Sequence, residues 1–168
     1  MNALLAWFGY LAFAFIALPI LFRARFGRWP FVVPPPLTRY STIEACYAVI
    51  YFVYCVAMIC RPLPPPLSAR IGTALLVGAV AVQIWAMLAM GPSWRIGFDP
   101  QRDHCDLVRR GPYRLVRHPI YWSLIAVAIS QLLLTRVDWP SIMLLGSTLL
   151  YFFIQTADEN KYWYPSSD

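Results

Sequence analysis

Residues 119–156 read PIYWSLIAVAISQLLLTRVDWPSIMLLGSTLLYFFIQT. Two apolar runs, Pro119 to Thr135 and Trp139 to Thr156, are separated only by Arg136, Val137 and Asp138. Each run is close to the roughly 17–25 residues that a helix needs to cross a hydrocarbon layer. In such a layer every backbone N–H and C=O must find its partner within the chain, which helices achieve segment by segment. The short connection then forces a tight helical hairpin, and this hairpin sets the fold class.

Reading outward, three further apolar stretches appear between charged connections: Ala3 to Phe22, Ile43 to Cys60 and Ile71 to Met90. The chain is 60% hydrophobic and 13% charged over 168 residues, more apolar surface than one soluble core of this size could bury. We therefore expect an all-α, polytopic integral membrane protein of about five transmembrane helices, forming a single domain over residues 1–168. Within it, residues 1–70 supply the N-terminal spans and 160–168 a short tail. The first stretch is long enough to span and lacks the cleavage pattern of a signal peptide, so we expect it to be retained.

The 14 Lys and Arg residues are distributed unevenly. The first connection, the third connection and the tail hold Arg23, Arg25, Arg28, Arg39, Arg95, Arg102, Arg109, Arg110, Arg114, Arg117 and Lys161, whereas the opposite side holds only Arg61, Arg70 and Arg136. The positive-inside rule then puts the N-terminus outside and places loop 91–118 and the C-terminus in the cytoplasm. Arginines beside a membrane serve topology and anionic head groups, so the net charge of +6 calls for no nucleic-acid partner. The proline clusters Pro34 to Pro36 and Pro62 to Pro66 fall between spans as stiff connectors. Cys46, Cys55, Cys60 and Cys105 suggest no disulfide framework, and His104, Cys105 and His118 match no common metal-ligand spacing.

Chemistry concentrates in the third connection. Loops of such length are more often functional than idle, and this one leads straight into a span. Pro119 suits the first helical turn, where its missing N–H would have no partner anyway, and it biases His118 toward extended backbone just outside. The helix start carries free amide donors and partial positive charge. With Arg114 and Arg117 close by, it favours an anionic group such as a carboxylate.

The connection ends in Leu107-Val108, two residues, Gly111-Pro112-Tyr113, three residues, Arg117-His118-Pro119, one residue and Tyr121. With these spacings it resembles the signature of the isoprenylcysteine carboxyl methyltransferase family and its phospholipid N-methyltransferase relatives. The resemblance extends over residues 71–159, a methyltransferase-like core. It implies S-adenosylmethionine as cofactor, with S-adenosylhomocysteine as product, and methyl transfer to a lipophilic or small-molecule acceptor at the cytoplasmic membrane face. Residue by residue, it implies that Cys105, Asp106, Leu107 and Val108 line the cofactor and that Tyr113 packs against it. His118, Pro119, Ile120 and Tyr121 would hold its amino-acid end, and Glu159 or Asp158 its ammonium. Arg114 and Arg117 become candidates for orienting the acceptor. A sulfonium methyl is already activated, so alignment and water exclusion are the main demands and no acid–base constellation is required.

The chain departs from the family pattern in two places. Where relatives carry an arginine shortly before the acidic pair, it reads Gln155-Thr156-Ala157-Asp158-Glu159, and the sequence ends soon afterwards at Asp168. Prenylcysteine carboxylate is therefore not the expected acceptor; a small thiol or lipid amine stays open. Two other readings stay open on the sequence: an NADPH-dependent membrane reductase related to sterol reductases, which also carry an Arg-His-Pro segment before a helix, and a non-catalytic family member.

Overall fold

A computed structural model describes residues 3–30, 39–58, 65–94, 108–135 and 137–163. The described residues form five helical rods and no strand. The first rod comprises α1 (Ala3–Ala12), a π-helical turn (Phe13–Ala17) and α2 (Leu18–Phe26). The others are α3 (Arg39–Met58), α4 (Pro66–Met90), α5 (Pro119–Leu134) and α6 (Trp139–Trp163). Short 3-10 turns follow α4 (Gly91–Ser93) and precede α5 (Gly111–Arg114).

Local chemistry explains several boundaries. Pro19 has no N–H, and its ring collides with the carbonyl four residues back; the ladder widens into the π-turn immediately before it. Gly27, at φ +73°, ends α2 in the left-handed conformation and donates to the Arg23 carbonyl at 2.8 Å. Pro66 and Pro119 both stand in the first turn of their helices. At the hairpin, the Asp138 carboxylate accepts from the Ser141 amide at 3.1 Å and caps the start of α6.

Three segments, Leu5–Phe26, Pro66–Ser93 and Trp139–Ala157, are long and apolar enough to cross a membrane, and Ala45–Ala57 and Pro119–Leu134 are shorter apolar helices. Large apolar side chains point outward along every rod, among them Phe15, Phe52, Val77, Trp122 and Phe153. Such a belt is tolerable only against lipid. This is an all-α polytopic membrane protein, as expected.

The predicted spans sit where the helices are, but all five differ from them at an end, α5 by a single residue. The first reaches Phe26, α4 begins at Pro66, and α6 runs on to Trp163, while α3 covers Arg39–Met58. The extension of α6 matters most, because it carries Glu159 alongside the start of α5. Both proline clusters lie largely outside the described residues, as does Arg136.

α4 and α5 form the central pair. Gly72 lets them approach closely: a Cβ there would lie 3.0 Å from Leu133 Cβ, Leu134 Cγ and the Ser130 carbonyl oxygen. Ser123 and Ser130 on α5 return their hydroxyls to the carbonyls of Ile120 and Val127, at 2.6 and 2.7 Å. α6 packs on α5 and also on α3, where Tyr47 donates to or accepts from Thr148 at 2.9 Å and stacks on Tyr151 with centroids 4.7 Å apart. The first rod touches α4 and α5. Between this rod and α3 a cleft remains, and it leads inward to the site.

Candidate active site

The Gly111–Arg114 turn packs beside the last turns of α4, not above them. Gly111, at φ +60°, is required twice over, by its left-handed backbone and by space: an added Cβ would lie 2.8 Å from Ala89 Cβ and 3.3 Å from Trp85 Nε1. Arg110 reinforces the junction, its Nε donating to the Ala89 carbonyl at 2.7 Å and satisfying an acceptor at the end of α4. Pro112 is buried, and its carbonyl accepts from the amides of Leu115 and Val116 at 3.0 and 3.1 Å. The segment thus descends onto the helix start at Pro119 with Tyr113 turned inward.

Glu159 of α6 is the focus. Its Oε1 accepts from the Tyr121 hydroxyl and from Gln155 Nε2, the latter at 3.4 Å, and its Oε2 lies 3.3 Å from His118 Nδ1. The two ring-bearing partners are themselves stacked: His118 lies parallel to Tyr121 with centroids 5.3 Å apart, and Tyr121 stacks on Phe152 at 4.8 Å. Side-chain exposure is 20% for His118 and 13% for Glu159, so the carboxylate is mostly withdrawn from water and depends on these donors. His118 directs Nδ1 toward Glu159; in the neutral tautomer that donates from Nδ1, Nε2 is an acceptor, and it is buried without a hydrogen-bond partner. Gln155 Oε1 is likewise buried and unpartnered. One corner therefore gathers a carboxylate and two orphan acceptors, a set that suits a cation or a strong N–H donor. Burial, followed by the nearby Glu159 charge, pushes the Tyr113 phenol well above its ordinary range, so it stays protonated.

The corner opens into a cavity of about 1420 Å³. Drug-sized ligands commonly occupy about 300–1,000 Å³, so this space can take a cofactor and part of a second molecule. Val108, Arg109, Tyr113, Arg114, Arg117, His118, Ile120, Tyr121 and Glu159 line its polar end. From there it runs between the first rod (Phe8, Phe15, Ile16) and α3 (Phe52, Val56), down one face of α5.

Of the residues singled out in the sequence, Val108, Tyr113, Arg114, Arg117, His118, Ile120, Tyr121 and Glu159 meet at this one cavity. Pro119 is buried and does not line it; its part is to start the helix. Cys105, Asp106, Leu107 and the side chain of Asp158 lie outside the described residues. Sequence reasoning missed Arg109, Gln155, Phe152 and Tyr151. Three of these sit on α6 with Glu159, and the spacing 152, 155, 159 is the one-face spacing of a helix, a signal that only continuing the helix past Thr156 would have revealed. Gln155 also stands where the family's arginine was expected nearby, and it serves Glu159.

Comparison with known proteins agrees with the geometry. Residues 72–164 match the isoprenylcysteine carboxyl methyltransferase family, a stretch that begins in α4 and takes in the junction, the hairpin and the whole of α6. No curated protein and no solved structure gives a significant match. With the match covering more than half of the chain, and with the span-forming helices described above, this protein belongs to the isoprenylcysteine carboxyl methyltransferase family and is a membrane methyltransferase.

Proposed function

We propose that the chain transfers a methyl group from S-adenosylmethionine to a lipophilic or small-molecule acceptor at the cytoplasmic face of the membrane. The observation that carries this reading is the Glu159 corner: a carboxylate oriented by Tyr121, His118 and Gln155, with unpartnered acceptors beside it and arginines across the same cavity. An amino-acid zwitterion fits such a charge pattern. Glu159 and His118 Nε2 would take the ammonium. The carboxylate would face the start of α5, where the helix N-terminus carries partial positive charge. Val108 and Tyr113 flank the same space, and Cys105, Asp106 and Leu107 complete the cofactor set that the family resemblance implies.

When bound, the cofactor supplies a methyl already activated on a sulfonium. What falls to this chain is alignment and exclusion of water. Phe152 and Leu124 line the same cavity, as do Arg114 and Arg117, which would orient an anionic or polar acceptor. Because the cavity continues into the cleft between the first rod and α3, an acceptor carried in the bilayer has a route to the corner without crossing water. The excess of arginine on the first and third connections supports a cytoplasmic site, where a soluble charged cofactor is accessible.

The test is calorimetric titration of the detergent-solubilised protein with S-adenosylhomocysteine, with NADPH in a parallel cell. We expect binding of the first alone, and a loss of about tenfold or more in His118→Ala and Tyr121→Ala with the protein still folded. NADPH binding alone would move the chain to the reductase reading, and binding of neither to a non-catalytic relative.

A further inference from the structure

The membrane-buried end of the cavity is not apolar. Tyr10 of α1 and Gln83 of α4 pair at 3.1 Å, Gln83 Nε2 donating to the phenol oxygen. Tyr51 of α3 and Gln131 of α5 form a second pair, again with the amide donating, at 3.3 Å. All four side chains line the cavity. Trp7 lies against both tyrosines, its ring centroid 5.9 Å from Tyr10 and 5.6 Å from Tyr51. Interhelical ties of this kind hold membrane bundles together, and most buried polar atoms in them find a partner. Here one is left: Gln131 is 2% exposed, and its Oε1 has no partner. Turning the amide over would move the orphan to nitrogen without removing it. An unsatisfied amide end at this depth is costly, and polar groups inside a membrane bundle most often mark a ligand path.

Position ties this feature to the reacting end. Tyr121, Leu124, Ala128 and Gln131 recur every three or four residues along α5 and line one face of the cavity. Ten residues of helix separate Tyr121 from Gln131, about 15 Å. An extended chain advances about 1.2 Å per bond, so that distance corresponds to about 12 bonds. A hydroxyl both donates and accepts, and it can satisfy Gln131 in either amide orientation while meeting a tyrosine hydroxyl.

Resting on the methyltransferase reading for its polar end, we infer that the buried end is a hydrogen-bonding subsite for a hydroxyl carried on the acceptor's hydrophobic tail, about 12 bonds from the Tyr121 corner. The acceptor class is then a hydroxylated amphiphile, not a plain hydrocarbon-tailed one. Gln131 and Tyr51 read the hydroxyl, and Gln83 with Tyr10 closes the far wall.

The experiment uses the full chain in nanodiscs and three thiols as probes: ω-hydroxydodecanethiol, dodecanethiol and, as a length control, ω-hydroxyhexanethiol. Binding is measured with and without S-adenosylhomocysteine and corrected for partition into empty nanodiscs. We expect the wild type to prefer the long hydroxythiol over dodecanethiol by about tenfold, the worth of one well-made buried hydrogen bond. The short hydroxythiol should show no such gain, and Gln131→Leu should abolish the preference. The double variant Tyr51→Phe, Gln131→Leu removes the whole pair and leaves none of its polar atoms over, so it should keep the wild type's thermal midpoint while losing the preference; a purely structural pair would lower the midpoint. Equal binding of the two long thiols by the wild type, as a water-filled polar pocket would give, overturns the inference, and so does an unchanged preference in Gln131→Leu. Should that variant fail to fold, the wild-type comparison across the three probes decides alone. Absence of S-adenosylhomocysteine binding would end the cofactor reading, whereas the hydroxyl preference measured without it would stand.

Discussion

A single methyl group at Gly111 would test how the site is held together. Its positive φ costs any L-residue about 1–2 kcal/mol, and the added Cβ would also press on Ala89 at 2.8 Å. We expect Gly111→Ala to lower the thermal midpoint by an amount corresponding to at least about 2 kcal/mol and to weaken cofactor binding, because the turn bearing Tyr113 must lift from α4. An unchanged midpoint would show that the junction is slack. Glu159→Gln asks a different question. It keeps the shape of the side chain and its contacts with Tyr121 and Gln155 but removes the charge, so the fold should persist while affinity for S-adenosylhomocysteine falls about 10- to 100-fold. Wild-type affinity in that variant would mean that the ammonium is held elsewhere.

Among the elements, the α4–α5 pair bears the strictest steric demand. Gly72→Leu would drive a side chain into Leu133, Leu134 and the Ser130 carbonyl, and the overpacking should cost about 1–3 kcal/mol. Gly78, on the same helix, has nothing within 4 Å of an added Cβ. There alanine should be neutral or stabilising by up to about 1 kcal/mol through helix propensity. Thermal unfolding of both variants makes the comparison, and equal effects would contradict the packing described. The same pair illustrates what the sequence could reveal. Pro119 announced the start of α5, because a proline after an arginine-rich loop and before an apolar run has few other uses. The end of α6 and the start of α4 were hidden, since hydropathy reports where a helix meets lipid and not where its hydrogen bonds begin or stop. The His118–Tyr121–Glu159 corner was readable only through the family resemblance, because 38 residues separate Tyr121 from Glu159 and no local pattern joins them. Gln83 and Gln131, by contrast, stood in plain view as the one amide side chain in each of their apolar runs, but their pairing with tyrosines of other rods depends on tertiary packing. The π-turn at Phe13–Ala17 is prompted by Pro19, yet a proline in a span more often yields a simple kink.

For the whole molecule, the arginine bias makes a prediction independent of the site. Cys105, in the third connection, should react with a membrane-impermeant maleimide added from the cytoplasmic side and not from the outside; labelling only from the outside would invert the topology. A second consequence follows from α5, whose 16 residues reach only about 24 Å while hydrocarbon is about 30 Å thick. Its start at Pro119 is closed by a turn that packs beside α4, so the shortfall is not made up by more helix. Beside α5 we expect the bilayer to thin toward the protein by several ångströms, or lipid to cover the mouth of the site. We expect acyl-chain length then to act on the site: reconstituted in bilayers of about 14 to 22 carbons per chain, turnover should be highest in the thinner ones and fall as the membrane thickens, making the surrounding lipid a regulator.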